Sequence, residues 1–599
     1  MMMNIKERHT YDFGMIGNCA YLALIGKDTD IKWMCMPRFD SSFIFGSLIG
    51  GEKGGEFSIK PTSEQYKISQ TYITNTNVLE TIVETDDFAY KITDCAPRFR
   101  QFDRYYRPQM LIRKIEPLRG LPQLRVVCNP VGDYGQKKLT RERGSSHIRY
   151  FGLPETLRLT TNIPINMVMD SSSFVLTKTR YMVMTYGAPL EAELQETAEN
   201  FITKTVLYWQ NWVKSTSIGQ HYQKEVIRSS LALKIHQYED TGGIIASPTM
   251  SLPESPGSTR NWDYRYCWMR DTYYTLTAFN NIGHFEEMEN YFLYLTNIPM
   301  RGKERIQPLY NLVGEGTIIE KELDLPGYLG NQPVRMGNDA YTHIQNDVYG
   351  QILLAILPLY TDKRFVNMEK SQSSYLIKTI LDKIEFTMDE ADAGLWEFRN
   401  LKQKHAYTHL FQWAGSHAAM KISREIGEME LGKKAEKLLK QAAAHLEKCY
   451  SPKRKAYAQA EGVDRMDAST LQLIMMNYIP HNSQKAKDHL KALEKDLRVG
   501  KGLFYRYKHA DDFGEPETTF LICAFWYAEA LACVGRTEEA MEAFEEIIGY
   551  SNHVGLLSED VKSSDGSMWG NFPQAYSHVG LVNAAYRINN KLNKPDFLP

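Results

Sequence analysis

The chain has 599 residues, more than one hydrophobic core supports, so we expect at least two domains. Hydrophobic residues make up 43% and charged residues 24%, as in ordinary globular proteins. The formal net charge of −2 gives no electrostatic reason to expect nucleic acid or an anionic membrane as a partner. No apolar run approaches the roughly 18 residues of a membrane span, so we predict none.

Features of the N-terminus and the cysteines bear on the compartment. Residues 1–8 lack the apolar segment of a secretion signal. Eight cysteines are scattered through the chain and no C-x-x-C pair occurs, which disfavours zinc and redox motifs. Most cysteines stand in apolar sequence, as in residues 521–526. We therefore expect reduced, buried thiols in a cytoplasmic protein.

The character of the sequence changes near residue 200. Before it, short β-branched segments such as 72–83 and 173–179 alternate with turns, which is typical of an antiparallel β-sandwich. A helical pattern over 189–216 follows and indicates a linker. The predicted division is a β-sandwich domain at 1–188, a helical linker at 189–221 and a second domain at 222–599.

Nearly every segment after residue 222 has the periodicity of a helix. Helices joined by loops of very unequal length indicate a closed ring of helical hairpins, in which the long loops gather at one end and build a site. The predicted helices cover 222–239, 268–282, 284–297, 342–360, 372–389, 407–426, 430–449, 467–478, 482–496, 517–533, 535–549 and 573–590. The predicted long loops cover 240–266, 298–341, 390–406, 498–516 and 550–572.

Two glutamates in these loops, Glu397 and Glu559, each follow a glycine and precede a helical stretch. Glycoside hydrolysis needs two carboxyl groups, one that protonates the leaving oxygen and one that activates water or attacks carbon. The chain has 72 acidic residues, so most must be solvated surface, and a plain loop residue is the alternative interpretation of Glu559. Trp268 and Trp396 stand beside charged residues, as rings that hold a sugar do, although core packing is the ordinary role of such a ring.

Several motifs occur in order along the chain. They are residues 16–18 (IGN), 31–41 (IKWMCMPRFDS), 260–271 (RNWDYRYCWMRD), 327–328 with 333–338 (GY and PVRMGN), 556–559 (LLSE) and 570–578 (GNFPQAYSH). Together they resemble glycoside hydrolase family 15, the glucoamylases and their relatives, over nearly the whole chain. The resemblance implies an N-terminal antiparallel β-supersandwich followed by an (α/α)6 barrel. It also implies an exo-acting α-glucosidase that hydrolyses oligosaccharides from the non-reducing end with inversion and releases β-D-glucose.

The resemblance also implies roles for particular residues. They are the general acid Glu397, the general base Glu559, the glucose-binding pair Arg270 and Asp271, a further substrate-binding residue Arg335, and the pocket walls Trp268 and Trp396. A general acid must keep its proton near neutral pH, so we expect Glu397 to have an apolar or anionic surrounding, with Trp396 and Phe398 supplying the apolar part. Glu559 must instead stay ionised and hold a water molecule. Read without the resemblance, Arg270 and Asp271 are an ion pair at a helix start.

Other activities were weighed against this interpretation. An α,α-trehalase is the alternative among hydrolases, since some prokaryotic relatives with this domain order cleave trehalose. A non-catalytic glucan-binding or regulatory barrel would have lost one catalytic glutamate, and an inverting phosphorylase would lack Glu559, whereas both glutamates are present. We expect no metal, no cofactor and a small α-glucoside or oligosaccharide as the substrate. Linkage preference, chain length, oligomeric state and a structural calcium stay open.

Overall fold

The computed structural model describes residues 8–298, 305–365 and 373–593. The N-terminal segment 1–7, part of the predicted loop 298–341 and the first residue of the predicted helix 372–389 lie outside these ranges. Within them, all eight cysteines are free and buried, as the sequence predicts. No described helix combines the length and the apolar character needed to cross a membrane.

The N-terminal part is built from antiparallel sheets, which confirms the predicted β class. A four-stranded sheet has the strands Phe13–Gly17, Leu22–Gly26, Ile31–Cys35 and Phe43–Phe45 in that order. An eight-stranded sheet has the spatial order Thr140–Arg143, His147–Phe151, Leu157–Thr161, Arg180–Tyr186, Met110–Arg119, Ala89–Cys95, Leu79–Glu84 and Lys67–Tyr72. A three-stranded sheet joins Ser173–Val175, Gln123–Asn129 and Glu56–Pro61.

Alternation explains why these segments form sheets with one face in the core. In Leu79–Glu84 the residues Leu79, Thr81 and Val83 are buried while the residues between them are partly or fully exposed. After Tyr186 the chain forms the helix Leu194–Lys214, whose start is capped by the Glu193 carboxylate. The predicted domain limits at 188 and 221 stay a prediction.

The rest of the chain is a closed double ring of helices. Helices alternate between an inner and an outer ring, and each inner helix contacts the next one until the last returns to the first. The inner ring consists of Asp271–Ile282, Val348–Thr361, Ala406–Glu425, the turns Ala468–Met475, Leu521–Cys533 and Ala575–Leu592. The outer ring consists of Gln223–His236, Phe285–Asn297, Ser373–Thr387, Met429–Lys448, Gln484–Leu497 and Thr537–Ile548.

The predicted helices therefore correspond one by one to these twelve elements of the described chain, with one departure. The segment predicted as a helix over 467–478 is a 3-10 turn, Ala468–Leu471, and one helical turn, Gln472–Met475. Burial follows the ring. All residues of Leu521–Cys533 are buried, whereas Gln484–Leu497 buries only a stripe of its residues. Burial on all sides is what an inner position demands, because the inner helices are enclosed by the outer ones.

Short two-stranded ladders hold the long loops at one end of the barrel. They pair Met250–Pro253 with Asn261–Asp263, Cys267–Trp268 with Leu309–Tyr310, and Lys321–Leu323 with Val334–Met336. The strand Asp560–Val561 lies between Thr519–Phe520 and Met568–Trp569. Each ladder fixes either a segment that leads into an inner helix or a segment that pairs with one. The loops consequently meet in front of the N-termini of the inner helices.

Candidate active site

A pocket opens where these loops meet, and it contains both predicted glutamates. Its wall residues come from loops that are distant in sequence, among them those that precede the inner helices. Of the seven residues predicted for the site, six line the pocket: Trp268, Arg270, Asp271, Trp396, Glu397 and Glu559. The structure thus brings together the residues that the sequence motifs had pointed to.

Glu559 lies on one side of the pocket and is nearly inaccessible, with 1% of its surface exposed. It stands just before the strand Asp560–Val561. The Tyr264 hydroxyl donates a hydrogen bond to Oε1 at 2.9 Å, and the backbone N–H of Asn571 donates to Oε2 at 3.0 Å. Both oxygens of the carboxylate are therefore held by donors that favour its ionised form.

The electrostatics of Glu559 work in two directions. Burial raises the pKa of Glu559, and the nearby charge of Glu254 raises it further, whereas the donors from Asn571 and Tyr264 lower it. Glu254 itself accepts a hydrogen bond from Arg506 at 2.7 Å, so its charge is paired. Burial therefore opposes the ionised form that we expect of Glu559, and the donors from Asn571 and Tyr264 stabilise that form.

Gly570 is required by the position of Glu559. Its φ of +74° lies in the left-handed region, which glycine adopts without strain. A Cβ added at Gly570 would stand 2.6 Å from both the Cβ and the Oε2 atom of Glu559. The backbone of this segment therefore approaches the carboxylate as closely as the absence of a side chain permits.

Glu397 lies on the other side of the aromatic pair formed by Tyr264 and Trp268, whose ring centres are 5.2 Å apart. The Trp268 indole N–H donates to Glu397 Oε1 at 2.7 Å, while Tyr264 holds Glu559. Tyr264 and Trp268, four positions apart in the sequence, thus each hold one of the two carboxylates. Tyr264 was missed as a site residue in the sequence, although it stands inside the motif 260–271.

The surroundings of the Glu397 carboxylate differ from the prediction. Besides the Trp268 donor, Arg270 Nη1 lies 3.2 Å from Oε1. The Trp396 indole N–H donates to Asp467 Oδ2 at 2.8 Å. The hydrogen-bond partners of the Glu397 carboxylate are thus polar or cationic, unlike the apolar or anionic surrounding expected, and shielding by the Trp396 and Phe398 rings stays a prediction.

The backbone at Glu397 is strained. Its φ is +60°, a conformation that costs a residue with a side chain on the order of 1 kcal/mol or more. The turn is closed by hydrogen bonds from Glu397 N to Gly394 O and from Phe398 N to Ala393 O, both at 3.2 Å. A strained glutamate in a pocket indicates that the turn serves to direct this side chain.

Arg270 and Asp271 stand at the first residues of the inner helix Asp271–Ile282. Arg270 Nε lies 3.7 Å from Asp271 Oδ1. Arg270 Nη1 makes shorter contacts, at 2.7 Å to Leu395 O and 3.2 Å to Glu397 Oε1. Asp271 Oδ1 is buried and has no hydrogen-bond partner in the described part of the chain. Burial raises the pKa of Asp271 to about 7, although the charge of Arg270 lowers it. An unpartnered carboxylate oxygen in a pocket can accept a hydrogen bond from a ligand hydroxyl.

Arg335 is the predicted site residue that does not line the pocket. Its Nη1 donates to Thr259 O at 2.7 Å, and its Nε lies 3.3 Å from Glu320. Its guanidinium lies over the Trp262 ring at 4.9 Å. Arg335 therefore packs on Trp262, which does line the pocket, and its predicted role in binding substrate stays a prediction.

The segment 508–516, which we call the lid, contributes Asp511, Asp512 and Phe513 to the pocket wall. Asp512 accepts hydrogen bonds from the backbone N–H groups of Arg399 and Asn400 at 2.6 and 3.2 Å. The Phe513 ring packs edge-on against Trp262 with 5.1 Å between centres, and the Arg399 guanidinium lies 5.2 Å from it. The lid is thus tied to the loop that carries Glu397. No local pattern in the sequence indicated these contacts.

Potential metal ligands were also considered. Among the described residues, His409, His445 and Glu461 have ligand atoms within 4.8 Å of one another. The Lys448 ammonium lies 3.4 Å from His445 Nδ1 and 3.9 Å from Glu461, so a cation already faces this group. None of these residues lines the pocket. The prediction of no metal at the site stays a prediction.

We expect Gly570→Ala to lower kcat by roughly 10²-fold, because the new Cβ would push the Glu559 carboxylate away from its position. The measurement is steady-state kinetics with a check of the fold by thermal unfolding. Gly462→Ala is the matched control, since Gly462 has the same φ of +74° but open space around its Cβ position. Equal activity losses in the two variants would show that backbone strain, not the contact with Glu559, is responsible.

Comparisons with known proteins show which family the chain belongs to. The family description "Glycosyl hydrolases family 15" matches residues 220–586, and "Trehalase-like, N-terminal" matches residues 5–174. The chain is 32% identical to a trehalase of Thermoplasma volcanium, over 97% of this chain and 94% of that protein. It is 27% identical to a trehalase of Mycolicibacterium smegmatis, over 96% and 91% of the two chains.

A solved structure shares the fold over nearly the whole chain. A bacterial glucoamylase complexed with acarbose superposes with a TM-score of 0.70 at 14% identity, covering 98% of this chain and 95% of that one. It supports the expected β-sandwich followed by an (α/α)6 barrel. The helical half matches the family description over most of its length, and the loops in front of its inner helices hold the two carboxylates. The chain is a member of glycoside hydrolase family 15.

Proposed function

We propose that this glycoside hydrolase cleaves α,α-trehalose, with Glu397 as the general acid and Glu559 as the general base. Similarity to proteins named trehalase over almost the full chain, N-terminal part included, carries the choice of substrate. The release of β-glucose from longer oligosaccharides, expected from the family resemblance, has less support, because the glucoamylase likeness is one of fold.

The two carboxylates are suited to hydrolysis with inversion. Each is held by a separate ring of the pair Tyr264 and Trp268, and no hydrogen bond joins the two carboxylates within the described ranges. An inverting enzyme keeps its carboxyl groups roughly 6.5–9.5 Å apart, so that a water fits beside the base. We infer that such a water lies next to Glu559, which the pocket wall shields from bulk solvent.

In the proposed reaction, protonated Glu397 gives its proton to the oxygen that joins the two glucose units. Glu559 takes a proton from the water, and the water oxygen attacks the anomeric carbon from the opposite face. The C–O bond to the second glucose breaks, and that glucose leaves with its α configuration unchanged. The attacked glucose is released as the β-anomer. Proton exchange with solvent restores both carboxyl groups.

The pocket offers one place for each glucose. At the inner end, the unpartnered Asp271 Oδ1 beside Arg270 is suited to hydroxyls of the glucose that is attacked. At the outer end, Trp262, Arg399 and Phe513 of the lid surround the place of the leaving glucose. We infer that the lid, tied to the loop of Glu397, limits the space beyond the second sugar and so favours a disaccharide over a long glucan.

The anomeric products distinguish trehalose hydrolysis with inversion from its alternatives. We expect purified enzyme to convert trehalose first to equal amounts of α- and β-glucose, because only one of the two anomeric carbons is inverted. Proton NMR within the first minutes, before mutarotation, measures both anomers. Cleavage of maltotriose or isomaltose with no hydrolysis of trehalose would instead identify an α-glucosidase of the glucoamylase type. An initial excess of α-glucose would rule out inversion.

The role of Glu397 is tested by substituting its carboxyl group. Glu397→Gln should lower kcat on trehalose by roughly 10²–10⁴-fold, because the leaving glucose is then not protonated. The loss should be much smaller with α-D-glucosyl fluoride, whose fluoride departs without a proton. The control is Glu390→Gln, because Glu390 lies on the same loop as Glu397 but forms an ion pair with Arg305. Equal losses on both substrates would contradict a role as general acid.

The lid is tested by Phe513→Ala. We expect KM for trehalose to rise roughly 10-fold, since the ring's contacts with Arg399 and Trp262 are worth on the order of 1–2 kcal/mol. The relative rate on maltotriose should increase as the outer part of the pocket opens. Phe102→Ala, at an exposed phenylalanine of the N-terminal part, is the control. An unchanged KM with an unchanged trisaccharide rate would show that the lid does not contact the second sugar.

A further inference from the structure

The N-terminal segment that precedes the first strand extends to the loop beside the proposed base. His9 O accepts a hydrogen bond from Met568 N at 3.0 Å, and His9 N donates to Ser567 Oγ at 3.3 Å. The His9 ring stacks on Trp569 with 4.4 Å between centres. Residues at the two ends of the described chain are thus paired, which holds the loop 567–571 against the β-sandwich part.

Tyr11 continues this contact to the site itself. Its ring is fully buried, and its hydroxyl donates to the carbonyl oxygen of Gly570 at 2.9 Å. The N–H of the same peptide group belongs to Asn571, and it donates to Glu559 Oε2 at 3.0 Å. The Tyr11 hydroxyl and the Glu559 carboxylate therefore lie at opposite ends of one peptide group.

We propose that Tyr11 is a positioning residue for the base: its hydroxyl orients and polarises the Gly570–Asn571 peptide that holds the Glu559 carboxylate. The inference rests on the proposed role of Glu559. A hydrogen bond accepted by a peptide oxygen strengthens the donor at the nitrogen of that peptide, because hydrogen bonds in a chain polarise one another.

The position of the peptide gives the hydroxyl a mechanical role as well. Gly570 has no side chain that could anchor it, and its N–H donates to Pro253 O at 2.7 Å. The Pro253 contact fixes the preceding Trp569–Gly570 peptide and the Tyr11 contact fixes the Gly570–Asn571 peptide, so Gly570 is held on both sides. The carboxylate oxygen consequently meets a donor whose direction is set before substrate binds.

Charged and titratable groups surround Glu559 on several sides. The Tyr264 hydroxyl donates to Oε1. Glu254 and Arg506 form an ion pair, Asp560 and Arg260 lie nearby, and Tyr328 packs against the Tyr11 ring. A change at Tyr11 that spares the ring leaves each of these groups in place. It removes only the donor at the peptide oxygen.

The test uses Tyr11→Phe, which keeps the buried ring and removes the hydroxyl. The substrate is whichever of trehalose, maltose or isomaltose the unsubstituted enzyme cleaves fastest. We expect kcat to fall roughly 3- to 30-fold, KM to change less than twofold, and the acidic limb of the pH–kcat/KM profile to move up by roughly 0.3–1 pH unit. The limb moves up because a weaker donor at Asn571 stabilises the ionised carboxylate less, so Glu559 becomes protonated at a higher pH.

The control is Tyr150→Phe. Tyr150 is also buried in the N-terminal part, and its hydroxyl donates to the Cys128 carbonyl oxygen at the same 2.9 Å. Its loss should lower Tm without moving the acidic limb. As a second variant that keeps the hydroxyl, 3-fluorotyrosine in place of Tyr11 gives a stronger donor, and the limb should then move down.

Two different results separate the inference from the proposed function. If Glu559→Gln retained the activity of the unsubstituted enzyme, the proposed base would be wrong. If Glu559→Gln abolished activity while Tyr11→Phe and the fluorinated enzyme kept the acidic limb in place, the positioning role of Tyr11 would be overturned. Tm and near-UV circular dichroism establish that each variant is folded before its kinetics are compared.

Discussion

Closure of the inner ring is the constraint on which the site depends. Six helical elements can enclose a common axis only if each packs on both neighbours, and their N-termini then face the same end of the barrel. Helix N-termini have unpaired N–H groups and a partial positive charge. Carboxylates stand at these N-termini: Asp271, at the first residue of its helix, lines the pocket, and Asp347 lies just before another inner helix. The loops that connect the rings supply the remaining side chains.

The two glutamates acquire different properties from their surroundings. Glu559 is 1% exposed and is held by two donors, whereas the side chain of Glu397 is 21% exposed and meets an indole N–H and a guanidinium. Burial raises the pKa of Glu559, so its ionised form needs each donor that it has. The hydrogen bonds of Tyr264 and Asn571 therefore determine the charge state of Glu559 as well as its position.

Much of this arrangement follows from local sequence. Helical periodicity predicted each element of the double ring, and the glycine-containing segments before helices singled out Glu397 and Glu559. The segment 467–478 was mispredicted as a helix, because the structure forms only two short turns there. Arg335 was identified by its motif, but the motif did not reveal that its side chain packs on Trp262. That contact depends on the pairing of Val334–Met336 with Lys321–Leu323. Contacts between distant segments have no periodic signal in one sequence.

Tyr11 illustrates this limit most clearly, since 559 positions separate it from Gly570. Nothing in residues 8–12 distinguishes this tyrosine from the other buried tyrosines of the β-sandwich part. Its relevance appears only when one peptide group is seen to join its hydroxyl to Glu559. The β-sandwich part then has a physical reason to accompany the barrel. The N-terminal segment holds the loop beside the proposed base, through the contacts of His9 with Met568 and of Tyr11 with Gly570.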